Sequence, residues 1–190
     1  MNSTLQLLAN ETALAARAAF EPSAFAAIYD HYFPKVYNYV RYRVRDLDTA
    51  DEITSLVFER VLAGIGTYHP QKAPFGAWLF AIARNAVQDH HRSQSRHPRL
   101  TLDLLAARPA TEPLPEKVVE QLDAREKLLQ AVSQLAVREQ DLIALKFASG
   151  MDNKEIARVA GLSESNVGVI LYRALRRLRS LLNDKENPNE

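Results

Sequence analysis

Apolar residues recur at helical spacing through most of this chain, and the interruptions divide it into a series of helices. From Ser23, the residues Phe25, Ile28, Tyr29 and Tyr32 fall on one stripe, which Val36, Tyr37, Val40 and Val44 continue. Pro34 predicts a break into two helices, because a mid-helix proline clashes with the preceding turn. It suits the first turn of the second helix. Arg41, Arg43 and Arg45 end that helix where its dipole favours cations. The next start signal is Asp46-Leu47-Asp48-Thr49. Thr49 with Glu52 makes a capping-box pattern, and Asp48 is an equal candidate for the cap. Ile53, Val57, Val61 and Leu62 then form a buried stripe, with Asp51, Glu52, Ser55 and Glu59 facing away and Leu56 beside them. Gly64 and Gly66 end this helix. From spacing alone, the acidic outer face reads as a solvated surface.

Pro70 and Pro74 bracket a loop over 67–74, and the next long helix is FGAWLFAIARNAVQDHHRSQSR. Phe75, Leu79, Ile82 and Ala86 line one side of it. Trp78, Asn85 and Arg92 are spaced seven apart and share another side, near Ala81 and Gln88. An aromatic ring with Asn, Gln and Arg along one face suits single-stranded nucleic acid, whose bases stack on the ring while polar groups read their edges. The competing reading makes Trp78 a core residue. Pro98, Pro109, Pro113 and Pro115 forbid a regular helix over 98–115, which reads as a linker.

A second helical unit begins near Glu116. Val118, Leu122, Leu128 or Leu129, Val132 and Leu135 form its first stripe, and a short break at 135–137 follows. The next helix turns Leu142, Ile143, Leu145 and Phe147 inward. After a turn at 149–152, Asp152 caps a helix from Asn153 to Ala160. A second turn, Gly161-Leu162-Ser163, ends at Ser163 as cap of the last helix. Ala157, Gly161, Val167 and Ile170 fall at the offsets of a helix-turn-helix, which places its second helix in the major groove of DNA. Residues 1 to about 20 are an Ala/Leu-rich extension, either a short helix or a weakly ordered end. The expected fold is therefore all-α: two small helical domains joined by a Pro-rich linker.

Composition narrows the function. Six glycines in 190 residues, with abundant Ala, Leu and Arg, favour helix. A net charge of +1 means that any nucleic-acid affinity comes from local basic patches. With no cysteine the chain has no disulfide or thiolate chemistry, which is compatible with a reducing cytoplasm. No apolar run approaches the ~18–20 residues of a membrane span, and no basic residue precedes Arg17 as in a signal peptide, so a cytoplasmic protein without membrane insertion is expected. His90, His91 and His97 do not make a metal site, because adjacent histidines point about 100° apart on a helix and no Cys or i,i+4 pair completes the set. They belong to a basic helix end with Arg92, Arg96 and Arg99. No nucleophile–base pair or phosphate loop is present, so neither a catalytic site nor a cofactor is expected.

In order, the segments FAAIYDHYFPKVYNYVRYRV, TADEITSLVFERVL, FGAWLFAIARNAVQDHHR and LAVREQDLIALKFASGMDNKEIARVAGLSESNVGVILYRALRRLR resemble the extracytoplasmic-function (ECF) group of bacterial sigma factors. The resemblance covers about 22–182. It implies an N-terminal extension at 1–21, sigma region two at 22–97, a linker at 98–115, sigma region four at 116–184 and a tail at 185–190. It also implies three partners: core RNA polymerase, promoter DNA and an anti-sigma factor that holds the protein inactive. By motif position, Asp51, Glu52, Ser55, Leu56 and Glu59 would bind the polymerase clamp. Phe75, Trp78, Arg84, Asn85, Gln88 and Arg92 would lie on or near the melted −10 strand, with Phe75 and Trp78 equally able to be the packing that shapes its pocket. The −35 element would meet the last helix through Ser163, Glu164, Ser165, Asn166 and Val169, with Arg173, Arg176 and Arg177 toward phosphates. Two departures stand out. Ser55-Leu56 replaces the Gln-Glu of many members, and Val167-Gly168-Val169-Ile170 replaces a V-K-S-R or V-R-S-R pattern. The glycine either permits a close backbone approach to DNA or leaves the upstream element weakly read. A helix-turn-helix regulator that binds duplex DNA without polymerase is the competing function.

Overall fold

Helical spacing this persistent is realised as helices throughout the residues that the structure, a computed structural model, describes: 11–44, 46–96 and 116–186. In chain order they are α1 (11–18), α2 (Pro22–Val44), α3 (Leu47–Gly64) with a 3-10 turn at Ile65–Thr67, and α4 (Phe75–Arg96). Then come α5 (Glu116–Ser133), α6 (Val137–Ile143) running into a π turn at Ala144–Ala148, α7 (Asn153–Ala160) and α8 (Glu164–Glu186). Among the described residues there is no strand. Arg45, His97, the Pro-rich stretch over 98–115, residues 1–10 and residues 187–190 lie outside the described residues, as do the side chains of Arg96, Val118 and Leu122.

The first bundle packs α2 on α3 and α4. Its core takes Ile28, Val36, Tyr39 and Val40 from α2, Ala50, Ile53, Val57 and Val61 from α3, and Phe75, Leu79, Phe80 and Val87 from α4. Helix α1 docks on this core through the buried Ala15 and Ala18, and the Tyr32 hydroxyl donates to the Glu11 carboxylate. That part of the extension is thus a packed helix. In the second bundle, Leu135, Leu142, Leu145, Ile156, Val167, Leu171 and Leu178 close a smaller core between α5, α6, α7 and α8.

Local expectations fail in four places, each for a physical reason. Pro34 does not divide the first stripe: α2 runs unbroken from Pro22 to Val44. A mid-helix proline costs ~3 kcal/mol. Ile28, Tyr32, Val36, Tyr39 and Val40 are all buried from the same helix, and each such side chain contributes ~1.5–3 kcal/mol. Burial wins. The cap of α3 is Asp46, not Thr49 or Asp48; its carboxylate accepts from the Thr49 backbone N–H at 2.7 Å. Hydrogen bonding to Thr49 holds that carboxyl below its usual pKa. Leu62 is 55% exposed, because the i+4 series from Val57 and Val61 continues to the buried Ile65 and leaves Leu62 off the stripe. Phe147 points outward, 60% exposed, because the π turn inserts an extra residue and throws the position out of register.

The helix-turn-helix forms as the spacing predicts. Asp152 and Glu155 make a reciprocal capping box at the start of α7. Gly161 ends α7 in the left-handed region at φ 66°, and the Leu162 N–H donates to the Ala157 carbonyl at 2.9 Å. The Ser163 hydroxyl accepts from the Asn166 N–H at 3.2 Å and so caps α8. Val167 is fully buried and Ile170 partly so against the same core.

The two glycines of this motif are expected to respond in opposite directions. Gly161→Ala forces a side chain into the left-handed region and is expected to lower stability by about 1–2 kcal/mol. A Cβ at Gly168 meets nothing nearer than the Asn153 amide nitrogen at 3.9 Å, so Gly168→Ala is expected to raise stability by about 1 kcal/mol. Urea denaturation of the full chain checks both, and the same sign for the two changes would contradict this account.

Candidate nucleic-acid interface

Helix α4 carries the face expected to meet single-stranded nucleic acid, and its chemistry starts from an aromatic cluster. Phe75 is fully buried, with ring centroids 5.7 Å from Tyr32, 5.2 Å from Tyr68 and 5.4 Å from Trp78. Trp78 is half-buried and also packs on Tyr68 at 5.4 Å. Gly64 lies against its indole: a Cβ there would come within 3.3 Å of the ring. The Tyr68 hydroxyl donates to the Ala73 carbonyl and ties the 67–74 loop around the cluster. Trp78 is therefore both core and surface, one edge clamped and the rest reachable. Phe75 acts only by packing.

The remaining residues of that face divide into two groups. Asn85 and Arg92 are exposed on the outer side, and Arg92 lies 3.5 Å from Asp89, which in turn lies 3.7 Å from Arg60. These are exposed pairs and hold little energy. Arg84 and Gln88 face the second bundle instead. Arg84 donates through Nε to Asp141 of α6 at 2.6 Å. Asp141 is buried, and its other oxygen accepts from the Tyr39 hydroxyl at 2.6 Å and lies 3.8 Å from Arg43 Nε. Arg43 also donates through Nη1 to Gln140, whose amide donates to the Leu135 carbonyl. Burial, then the adjacent Asp141 charge, pushes the Tyr39 phenol well above its ordinary pKa. A cavity of about 300 Å³ opens beside this cluster, lined by Arg43, Arg84, Gln88, Val137, Arg138 and Asp141.

Sequence reasoning placed Arg43 only at a helix end and did not single out Tyr39, Gln140 or Asp141. One signal was available. Asp141 precedes the buried Leu145 by four residues, so it occupies a stripe position where an apolar side chain would be usual.

The other two candidate faces are open. On α3, Asp51, Glu52, Ser55 and Glu59 are exposed, with Leu56 among them at 38%. On α8, Glu164, Ser165, Asn166, Val169, Arg173, Arg176 and Arg177 are exposed, while Ser163 uses its hydroxyl as the cap. Gly168 and Ile170 are only partly exposed, and Ile170 packs inward. Among the described residues no cluster of metal-ligating side chains occurs, and no helix is long and apolar enough to cross a membrane.

Comparison with known proteins gives two family matches: sigma-70 region 2 over residues 28–97 and sigma-70 region 4 over residues 125–178. The chain is 39% identical over 166 residues to the ECF RNA polymerase sigma factor BldN of Streptomyces coelicolor, covering 87% of this chain but 63% of that longer one. It is 30% identical to the ECF RNA polymerase sigma factor ShbA of Streptomyces griseus, covering 80% of this chain and 83% of the relative. Among solved structures it resembles the sigma factor RpoE of Bartonella quintana, crystallised with the anti-sigma factor NepR. That likeness has a TM-score of 0.65 at 20% identity and covers 84% of this chain and 96% of the other. At that identity it bears on the fold alone.

Two histidines give the chain a predictable acid response. His91 is half-buried, and burial, then Arg43 and His90, hold its imidazole below its usual pKa. Its Nε2 is buried with no hydrogen-bond partner, so a proton there would find no acceptor. Burial, then Lys35, lowers His31 likewise. A base with a depressed folded pKa contributes stability that is present above the unfolded value and lost as pH falls. Stability is therefore expected to fall from about pH 7 to pH 5, and to fall less in His91→Gln. Denaturant titrations at the two pH values measure this; identical losses in both proteins would remove His91 from the account.

Proposed function

Because this chain belongs to the ECF group of RNA polymerase sigma factors, we propose that it binds core RNA polymerase and directs it to a promoter with two separate DNA readers. Residues 22–97 act as region two and 116–184 as region four, joined by the linker at 98–115. The exposed acidic face of α3, with Leu56 at its centre, is the surface for the polymerase clamp. The outer face of α4 takes the melted −10 strand: a base stacks on the free part of Trp78, Asn85 meets base edges, and Arg92 meets phosphate. On α8, Glu164, Ser165, Asn166 and Val169 face the −35 bases, and Arg173, Arg176 and Arg177 meet the backbone. The single observation that carries this reading is the pairing of an exposed, aromatically anchored α4 face with an exposed α8 in one chain.

The protein works in the cytoplasm and has no catalysis of its own; the polymerase does the chemistry. An anti-sigma factor holds it inactive; RpoE is a sigma factor crystallised in complex with an anti-sigma factor, NepR. The inward packing of Ile170 leaves few base contacts on α8, so specificity rests mainly on the −10 reader.

Reconstitution with core polymerase and a random promoter pool tests the function. Enrichment of one bipartite sequence that depends on core polymerase is expected. Equal binding to duplex DNA without polymerase would instead identify a helix-turn-helix regulator. Within the reconstituted system, Asn85→Ala is expected to reduce open-complex formation at least ~10-fold while leaving closed-complex binding nearly unchanged. Equal losses in the two steps, read by permanganate footprinting and by gel shift, would take Asn85 out of melting.

A further inference from the structure

Around the cavity beside Asp141, the charges of the facing side chains do not balance. Arg43 of α2, Arg84 of α4 and Arg138 of α6 line it, and Asp141 is the one carboxylate among the lining residues. Three guanidinium groups against one carboxylate leave two positive charges in excess. Asp141 has little left to offer them, because one of its oxygens accepts from Tyr39 and the other from Arg84 Nε. Arg43 Nε lies 3.8 Å from the nearer oxygen and is buried with no hydrogen-bond partner. The Arg43 side chain is only 3% exposed, and a charged donor so deeply buried costs free energy for as long as it stays unmet. Arg138 stands at the rim, exposed, and belongs to none of the three candidate faces. The remaining wall is the half-buried Gln88 with Val137 and Ala160.

We propose that this cavity binds a small phosphomonoester of about sugar-phosphate size, with its anionic head on Arg43, Arg84 and Arg138 and its body along Gln88, Val137 and Ala160. Charge selects the head. A phosphomonoester near neutral pH carries close to the two negative charges that the lining lacks, whereas a carboxylate would neutralise only one. Geometry agrees, since the planar guanidinium fork matches phosphate oxygens and gives its strongest hydrogen bonds to charged acceptors. Volume selects the body. About 300 Å³ exceeds what a bare phosphate fills and lies at the small end of the range for ligand sites, ~300–1,000 Å³. The Gln88 amide offers both a donor and an acceptor, which suits a hydroxylated body better than a purely apolar one.

The test uses the full chain, with ribose 5-phosphate and inorganic phosphate as probes and ribose as the uncharged control. Isothermal titration calorimetry is expected to show ribose 5-phosphate at one saturable site with a Kd of ~1 mM or below, inorganic phosphate more weakly bound, and ribose without measurable binding. Arg138→Ala is expected to weaken ribose 5-phosphate ~10-fold or more, and Arg138→Lys to recover part of the loss. The Arg43 Nε–Hε resonance locates the ligand, and it is expected to shift along the same titration. Absence of saturable binding overturns the site. So does binding that Arg138→Ala leaves intact, or binding that leaves the Arg43 resonance in place, because exposed cations elsewhere would then hold the probe. Inorganic phosphate bound as tightly as ribose 5-phosphate overturns the phosphomonoester assignment. Should Arg138→Ala lose helix by circular dichroism, Val137→Glu decides the question. Val137 is 68% exposed, and a carboxylate there is expected to remove binding while the fold is kept. None of these readings requires DNA or polymerase, so the site and the sigma-factor function stand or fall separately.

Discussion

A buried carboxylate with three partners sets the relation between the two halves of this molecule. Asp141 is withdrawn from water, and it is tolerated there because the Arg84 guanidinium and the Tyr39 phenol hydrogen-bond to its two oxygens and the Arg43 charge lies 3.8 Å away. Removing one partner of such a set costs ~3–5 kcal/mol, because the remaining charge is left uncompensated. The cluster also has direction: Arg84 comes from α4, Tyr39 and Arg43 from α2, and Asp141 from α6, so three helices must be correctly placed for it to form.

Helix α4 serves two neighbours at once. Its inner side supplies Phe75, Leu79, Phe80 and Val87 to the first core, and a lateral side meets the second bundle through Arg84 and Gln88. The strip from Trp78 through Asn85 to Arg92 lies on its outer side, with Asn85 and Arg92 exposed and Trp78 half-buried. The aromatic box of Tyr32, Tyr68 and Phe75 fixes the indole at the head of that strip. A preset ring loses little freedom when a base stacks on it, which favours binding without a large ordering cost.

What could be read in advance follows the range of the forces concerned. The limits of α4, the caps at Asp152 and Ser163 and the left-handed Gly161 are set by neighbours a few residues away, and all were legible. Pro34 was misleading because its local preference opposes a stripe whose burial is decided by α3 and α4. Phe147 was misplaced because a π turn breaks the regular period on which the expectation depends. The helices that carry the three candidate faces were legible, and α3 and α8 present those residues to solvent. The engagement of Arg84 was not legible, since its partner lies 57 residues away beyond a Pro-rich segment and carries no local signature beyond an acid on an apolar stripe.

The π turn at Ala144–Ala148 has a consequence for how this protein can vary. An α-helix advances about 100° per residue, so one extra residue in a turn offsets everything before it from everything after it by roughly that angle. Asp141 lies on one side of the offset and the Gly150 bend into the helix-turn-helix on the other. The azimuth of the carboxylate and the azimuth of the DNA-reading unit are therefore separately adjustable. A single-residue deletion in this turn would re-phase one against the other while leaving the composition of both cores intact. Among relatives, length differences of one residue at this point would alter inter-domain geometry more than many substitutions on the surface.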